Sequence, residues 1–365
     1  MLRFVFCLLP FLLVHRTSTA QTFTLFTGSY TRTGNGGIHV YTFNATTGTT
    51  VLLDSTTGVS NPSYLAVSKN GVVYAVNEDG GGKGAVSAFR WDGKKLSFIN
   101  TQPSGGDHPC YVAIHPSGRW LAVGNYSGGN LALYALREDG SIAAADTVIN
   151  HTGRSVDATR QQSPHVHATV WSPDGTALVV PDLGTDELVV YRFNEQSPAK
   201  LQPVQSMKSA PGAGPRHFIF GTNGFAYSIE ELSGTVVSFQ YKERQLQQRQ
   251  RISTHPKNYT GAKGSADIHL SPDGRFLYAT NRAAANTIAS FAVQKNGRLK
   301  LLRIQSTLGV HPRNFTLDPT GRWLLVANRD SNEIVVFQRN TSTGALIDSG
   351  KRMKTLLPIC VKFMQ

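Results

Sequence analysis

The alternation of apolar and polar positions divides the chain into short runs that recur in one order. An apolar segment leads into a Pro/Asp/Gly turn, a second apolar segment ends in Asn or Asp, and a third carries aromatic residues. Clear copies occupy 109–118, 167–175, 267–274 and 312–321, and weaker ones turn at Gly71 and Gly224. The turn glycines Gly71, Gly118, Gly175, Gly224, Gly274 and Gly321 lie 47, 57, 49, 50 and 47 residues apart, the period of a four-stranded propeller blade. Turn chemistry agrees, because Pro presets one corner, Asp or Ser bonds back to the chain, and Gly takes the positive φ. Helical repeats of this period would need amphipathic runs of ten or more residues, which the pattern does not contain.

Each turn is followed by a predicted second strand, at 72–77, 120–125, 177–182, 225–230, 276–281 and 323–328. Third strands follow at 84–89, 130–136, 187–193, 235–241, 287–293 and 333–338, while the fourth are polar and indistinct. Residues 23–30 and 37–43 resemble second and third strands with no first strand before them, and 358–363 resembles a first strand with nothing after it. The pattern predicts an all-β, seven-bladed β-propeller of four-stranded antiparallel blades, closed by N- and C-terminal strands in one composite blade. Closure removes sheet edges that would otherwise pair with other chains. The longest insertion is expected at 150–163, before a strand beginning at Pro164, with a second at 259–264.

Composition changes this picture at the N-terminus. Arg3 precedes an apolar run from Phe4 to Val14, and Ser18, Thr19 and Ala20 supply a small-residue ending, so residues 1–20 are expected to be a secretory signal peptide and 21–365 one propeller domain. The run is too short to span a bilayer, and no later segment is long and apolar enough, so an exported protein without an integral membrane segment is expected, periplasmic or extracellular. Cys7 would leave with the leader. Cys110 and Cys360 sit in apolar segments and are expected as buried free thiols. The formal charge of +13 is spread along the chain rather than packed into a tail, which points to a basic surface or pocket.

Equivalent positions should form rings around the central channel. Ten residues before each turn glycine stand Asn61, His108, His165, Gly214, Gly264 and His311, and eight before stand Ser63, Cys110, His167, Arg216, Ala266 and Arg313. With strand period two, both columns are expected on one face. The second strands end in Asn77, Asn125, Asp182, Glu230, Asn281 and Asn328, followed by Glu78, Tyr126, Leu183, Glu231, Arg282 and Arg329. Glu230 breaks the Asn pattern in the blade that carries Arg216. His165, His167, Arg216, Glu230 and Arg282 are therefore expected to converge as a catalytic group, with His108, His311 and Arg313 binding substrate. Arginine forks hold carboxylate or phosphate and can stabilise an oxyanion, while His or Glu can move the proton.

Other chemistry has less support. His165 and His167 could offer two metal nitrogens, but no Cys or carboxylate cluster flanks them and Arg216 would oppose a cation. The Gly-Gly pairs lack the strand, loop and helix of a phosphate loop, and no Ser lies in a Gly-x-Ser-x-Gly elbow. No polybasic stripe with interleaved aromatics suggests nucleic acid.

The ordered passages Phe26-Thr-Gly-Ser-Tyr-Thr31, Gly37-Ile-His-Val-Tyr41, Asn61-Pro-Ser-Tyr-Leu65, Gly214-Pro-Arg-His-Phe218, Ser265-Ala-Asp-Ile-His269, Tyr278-Ala-Thr-Asn-Arg282 and Ala327-Asn-Arg-Asp330 are similar to the seven-bladed lactonases. That family includes one type of 6-phosphogluconolactonase and the fungal carboxymuconate-lactonising enzyme. The resemblance implies hydrolysis of a lactone, or the related lactonisation, with no cofactor and no obligatory metal. Its catalytic group falls on His165 or His167, Arg216, Glu230 and Arg282, with Arg313 and His311 completing an anion pocket. The expected partner is a small anionic lactone or sugar acid met by a monomer. Export sits awkwardly with a phosphorylated sugar lactone, which ordinarily belongs inside cells. A noncatalytic ligand- or protein-binding propeller and a redox propeller are the competing classes.

Overall fold

The computed structural model describes residues 21–31, 36–222 and 224–364, so the leader expected over residues 1–20 lies outside the described residues. The strands form seven four-stranded antiparallel sheets. Blade I runs from strand Leu65–Val67 to Leu96–Pro103, blade II from Pro109–Ile114 to Ile142–Asn150, and blade III from Val170–Trp171 to Leu201–Lys208. Blade IV runs from Pro215–Phe220 to Gln245–Ser253, blade V from Ser265–Leu270 to Leu299–Ser306, and blade VI from Pro312–Leu317 to Leu346–Lys354. Blade VII is composite. Its inner strand Pro358–Phe363 pairs with Thr22–Ser29, followed outward by Ile38–Asn44 and Thr49–Thr56. The closure expected from the two chain ends is thus present.

The second and third strands are apolar on both faces because each blade is sandwiched between two others. Trp120, Leu131 and Leu133 of blade II pack with Trp171, Leu178 and Val180 of blade III, and the same layering repeats around the ring. Outer strands carry one or two buried residues and are otherwise half-buried or exposed, which explains their polar reading in the sequence. The six turn glycines all have φ between 68° and 79°, as their turns require. Cys110 and Cys360 are buried and free.

The inner strands differ from simple alternation. Pairing slips between Pro109 and Tyr111, Pro215 and His217, Ser265 and Ile268, Pro312 and Asn314, and Pro358 and Cys360, so a β-bulge sits at the start of five inner strands. Just before it the backbone is left-handed at His108, Gly214, Gly264 and His311. Regular strand alternation, from which the two columns were expected on one face, is therefore interrupted between them, because a bulge re-aims the side chains on either side of it. Blade III departs further. Its inner segment, expected to begin at Pro164, is a strand only at Val170–Trp171, with a single bridge from Val166 to Asp182. Pro181 on the second strand has no N–H to give the facing segment, and the Asp182 carboxylate takes the His165 amide at 2.8 Å instead.

Antiparallel order places the starts of the inner strands, the ends of the second strands and the links between blades on one face, here called the upper face. Phe363 in the closing strand packs edge-on against Phe43 at 5.3 Å and Phe23 at 6.3 Å. Phe363→Ala should cost about 3 kcal/mol or more in urea unfolding, because the void opens in the strand that closes the ring. A loss below about 1 kcal/mol would mean that this strand contributes little to closure.

Candidate active site

Arg216 occupies the blade IV bulge and is only 1% exposed, despite its charge. Its partner is Glu231, the first residue of the turn after strand Phe225–Glu230. Glu231 Oε2 accepts from Arg216 Nε at 3.1 Å and from Arg282 Nη2 at 2.7 Å, while Oε1 accepts from Arg160 Nη2 at 2.7 Å. Burial would raise this carboxyl, but Arg282, Arg216, His167 and Arg160 together hold it well below the usual carboxylate range. Burial, reinforced by Arg282 and Arg313, pulls Arg216 down to about 10, so it stays protonated at neutral pH.

Arg160 comes from the insertion between blades II and III, and its Nη2 also bonds the Tyr126 hydroxyl at 3.1 Å. Tyr126 in turn holds both candidate histidines. His165 stacks on its ring at 4.4 Å with planes 8° apart, and His167 meets it edge-on at 5.2 Å. His165 Nδ1 lies 2.9 Å from the Tyr126 carbonyl, which can only accept, so Nδ1 carries the proton and Nε2 keeps its lone pair. His167 is buried with Nδ1 3.6 Å from Cys110 Sγ and its ring 5.5 Å from that of His217. Burial, then Arg216 and His217, push His167 well below 6.5.

On the other side of the mouth, Arg313 lies 3.5 Å from Glu78, whose carboxylate accepts from the Tyr30 hydroxyl at 3.0 Å. His311 faces Asp330 at 3.5 Å, and its Nε2 is buried with no hydrogen-bond partner among the described residues. Burial, then Arg282, Arg329 and Arg313, push His311 down to about 3. The structure thus brings together His165, His167, Arg216, Arg282, His311 and Arg313 at the upper end of the bore.

It places Glu230 and His108 elsewhere. Glu230 is fully buried but paired with Arg251 of its own outer strand at 2.8 and 2.5 Å, and it accepts from Ser233 at 2.7 Å. It does the structural work of its column, in which Asn125, Asn281 and Asn328 bond the loop carbonyls of Ser104, Thr254 and Thr307. The reason is positional: Asn125, Glu230, Asn281 and Asn328 bond the outer side of their blades, while Tyr126, Glu231 and Arg282, one residue on, meet one another's partners at the mouth. The carboxylate that Arg216 and Arg282 share is therefore Glu231, not the Glu230 expected beside them. His108 bonds Ser127 at 2.9 Å and packs on Gly80, apart from the arginines.

The sequence reading also passed over Tyr126 and Glu231, which stood in its own column after the strand ends, and Arg160, which belongs to no column. Below the arginines the bore is filled by residues seven before the turn glycines: Tyr64, Tyr111, His217, Asp267 and Asn314, with Cys360 from blade VII. Tyr64 stacks on Tyr111 at 4.1 Å, and Asp267 joins His217 at 2.7 Å to Asn314 at 2.5 Å. A void of about 10 Å³ beside Arg216 and Arg313 holds about one water at most. A ligand must therefore sit above the arginines. Wider clefts on the opposite face, such as that between Lys69 and His115, gather no comparable set of groups. Among the described residues no group of three or more His, Cys, Asp or Glu side chains is gathered as a metal ion would need.

The chain matches the family model for the lactonase with a 7-bladed β-propeller over residues 24–363. It is 39% identical to a 6-phosphogluconolactonase of Formosa agariphila, covering 88% of this chain and 94% of that one. It is 33% identical to a 6-phosphogluconolactonase of Bacillus subtilis over 93% of this chain and 97% of the other. Its fold overlays the periplasmic gluconolactonase of Pseudomonas aeruginosa with a TM-score of 0.90 at 36% identity, over 94% of this chain and 99% of that one.

Buried neutral histidines give the site a pH signature. His167 and His217 titrate near 6.5 when unfolded and lower when folded, His217 at about 3, so below 6.5 the unfolded chain binds the extra protons. Stability should fall as pH drops from 6.5 to 5, a window in which ordinary carboxylates remain ionised in both states. Urea unfolding at pH 7, 6 and 5 should show this decline, and His217→Gln should flatten it by up to about 1.4 kcal/mol per pH unit. An unchanged slope in the variant would place His217 in a protonatable setting.

Proposed function

The chain belongs to the seven-bladed β-propeller lactonase family, and from that premise we propose that it opens the ring of a small anionic sugar-acid lactone at the arginine-lined mouth. The observation that carries this reading is the Arg160, Arg216 and Arg282 cluster on Glu231, with Arg313 and His311 beside it. Such a wall suits both an acidic substituent and the oxyanion of ester hydrolysis.

Arg216 donates its Nε–H to Glu231, and among the described residues its Nη2 meets no acceptor. Nη2 is the donor for the lactone carbonyl oxygen. His165 is the general base: its tautomer leaves Nε2 free to take a proton from water as that water attacks the carbonyl carbon. The tetrahedral oxyanion rests on Arg216. When the ring C–O bond breaks, His165 returns the proton to the departing oxygen, and lactone plus water become one hydroxy acid. Glu231 is ionised and saturated by guanidiniums, so its part is to hold the arginines. Arg313 and His311 take the acidic substituent. The names of the Formosa and Bacillus relatives support a phosphorylated gluconolactone, and that of the Pseudomonas protein supports an unphosphorylated one outside the cytoplasm, where the expected leader would direct this chain.

The test is a panel of gluconolactone, 6-phosphogluconolactone and carboxymuconolactone, with and without chelator. Turnover should be insensitive to chelator, and Arg216→Ala should lower kcat/KM about 100- to 1000-fold. The reading falls if no lactone is opened, or if Arg216→Ala is as active as the parent. The two neighbouring acids separate cleanly. Glu231→Gln should lower kcat at least about 100-fold by releasing the arginines. Glu230→Gln should keep kcat within about fivefold and instead cost about 1–3 kcal/mol of stability, by stranding Arg251. The reverse pattern would return the functional role to Glu230.

A further inference from the structure

The base and the cations of the proposed site stand on different parts of the ring. His165 belongs to the irregular inner segment of blade III, Arg216 to blade IV, and Arg282 follows a strand of blade V. Their separation would follow from blade packing alone unless one group bonds to both sides. Arg160 is that group. Its Nη2 lies 2.7 Å from Glu231 Oε1, on the carboxylate that also holds Arg216 and Arg282, and 3.1 Å from the Tyr126 hydroxyl. Tyr126 in turn fixes His165 twice, through its stacked ring and through its carbonyl on Nδ1. Among the described residues no other side chain hydrogen-bonds to both Tyr126 and Glu231.

Arg160 reaches this point because the insertion that carries it is braced from within. Its amide donates to Asp157 Oδ1 at 3.0 Å. Gln161, the next residue, is fully buried; its Oε1 accepts from the Asp157 amide at 3.1 Å and its Nε2 donates to the Leu183 carbonyl at 2.8 Å. Ser155 adds a second tie, donating its hydroxyl hydrogen to Asp186 Oδ2 at 2.6 Å. The insertion is thereby pinned at two points to the turn after the second strand of blade III, which fixes the backbone from which Arg160 extends. The side chain itself is 40% exposed, and its Nε and Nη1 meet no acceptor among the described residues. Tyr126 and Glu231 are thus what hold the guanidinium, and what it holds together.

We propose that Arg160 is a positioning residue for the lactone reaction, spanning Tyr126 and Glu231 so that His165 Nε2 and the guanidinium of Arg216 keep one separation. This rests on the roles given to His165 and Arg216 above. The span matters because water activated by His165 must meet the carbonyl carbon while the carbonyl oxygen rests on Arg216, and a misplacement of about 1 Å in such a pair lowers the rate about 100-fold. Glu231 orders the cations among themselves, and Tyr126 orders the base. Arg160 orders one set against the other.

The experiment compares the parent with Arg160→Met, which keeps the apolar stem without the donors, Tyr126→Phe, which keeps the stacked ring and cuts only the link, and the double variant. Arg160→Met should lower kcat about 100-fold and Tyr126→Phe at least about fivefold, each with KM within about threefold and measured per folded protein by circular dichroism. The double variant should be within about threefold of Arg160→Met, since both changes remove one link. The proposal is overturned by a smaller loss in Tyr126→Phe, by effects that multiply in the double variant, or by a KM that rises as far as kcat falls. The last is the pattern of an arginine that only binds substrate. A merely structural role would lower the melting temperature and leave kcat of the folded fraction unchanged, which overturns the proposal as well. Crystal structures of the parent and Arg160→Met judge the placement without turnover. The Tyr126 and His165 rings should move at least about 1 Å relative to Glu231, or lose their single position, and rings that stay in place overturn the proposal. If the parent opens no lactone, the hydrolytic reading fails on that result, and the link is decided by crystallography alone.

Discussion

Guanidinium groups drawn out of water into one mouth repel one another, and the site exists because a single buried carboxylate holds three of them. Glu231 bonds Arg160, Arg216 and Arg282, each from a different stretch of chain. In a water-poor setting these contacts are far stronger than at a surface, and leaving any partner unpaired is correspondingly costly. The arrangement also decides what Glu231 can do. A carboxylate kept well below its usual range by its neighbours is a poor proton acceptor, so the proposed reaction gives the part of base to the half-buried His165, whose Nδ1 is held by the Tyr126 carbonyl. Charge pairing at one atom group therefore allocates the roles of the others.

The fold makes such pairing possible through bulges. A regular inner strand would alternate its side chains between the two neighbouring blades, as the second and third strands do. The slips at Cys110, Arg216, Ala266 and Arg313 instead turn successive residues toward the axis. One layer then forms the cationic mouth, and the next fills the bore with Tyr64, Tyr111, His217, Asp267 and Asn314. The filled bore bears on the proposed reaction, because the Ala266 carbonyl accepts from Arg216 and the face of His217 lies under its Nη1, in place of mobile water.

How much of this was legible in the sequence follows from which features repeat. Blade number, strand positions and the composite closure come from turn chemistry and strand periodicity, which act locally and recur in each blade. Arg216, Arg282 and Arg313 were visible because cations stood where a propeller column is elsewhere small or neutral. Glu230 misled because it broke an Asn pattern, yet it satisfies its own outer strand just as its column mates do. Glu231 sits one residue on, in a turn whose direction no periodicity encodes. Arg160 lies in an insertion that occurs once, and its approach to Tyr126 depends on tertiary folding. His217 and Asp267 read as ordinary strand residues, since the bulge that turns them inward has no sequence signal of its own.

The charge balance of the mouth bears on when binding is strongest. Arg160, Arg216, Arg282 and Arg313 face Glu231 and Glu78, while Arg329 is matched by Asp330 at 2.6 Å. Four cations against two anions leave an excess of two. A lactone with one acidic group brings a single negative charge in its ground state, and attack by water places a second on the carbonyl oxygen. The site is thus closer to electrical neutrality in the transition state of the proposed reaction than in either the empty or the substrate-bound form. Binding that improves as the reaction proceeds lowers the barrier, whereas a site with matched charges would hold substrate and transition state alike. Arginine suits this task better than lysine, because its fork can hold a structural carboxylate with one edge and keep the other for the ligand.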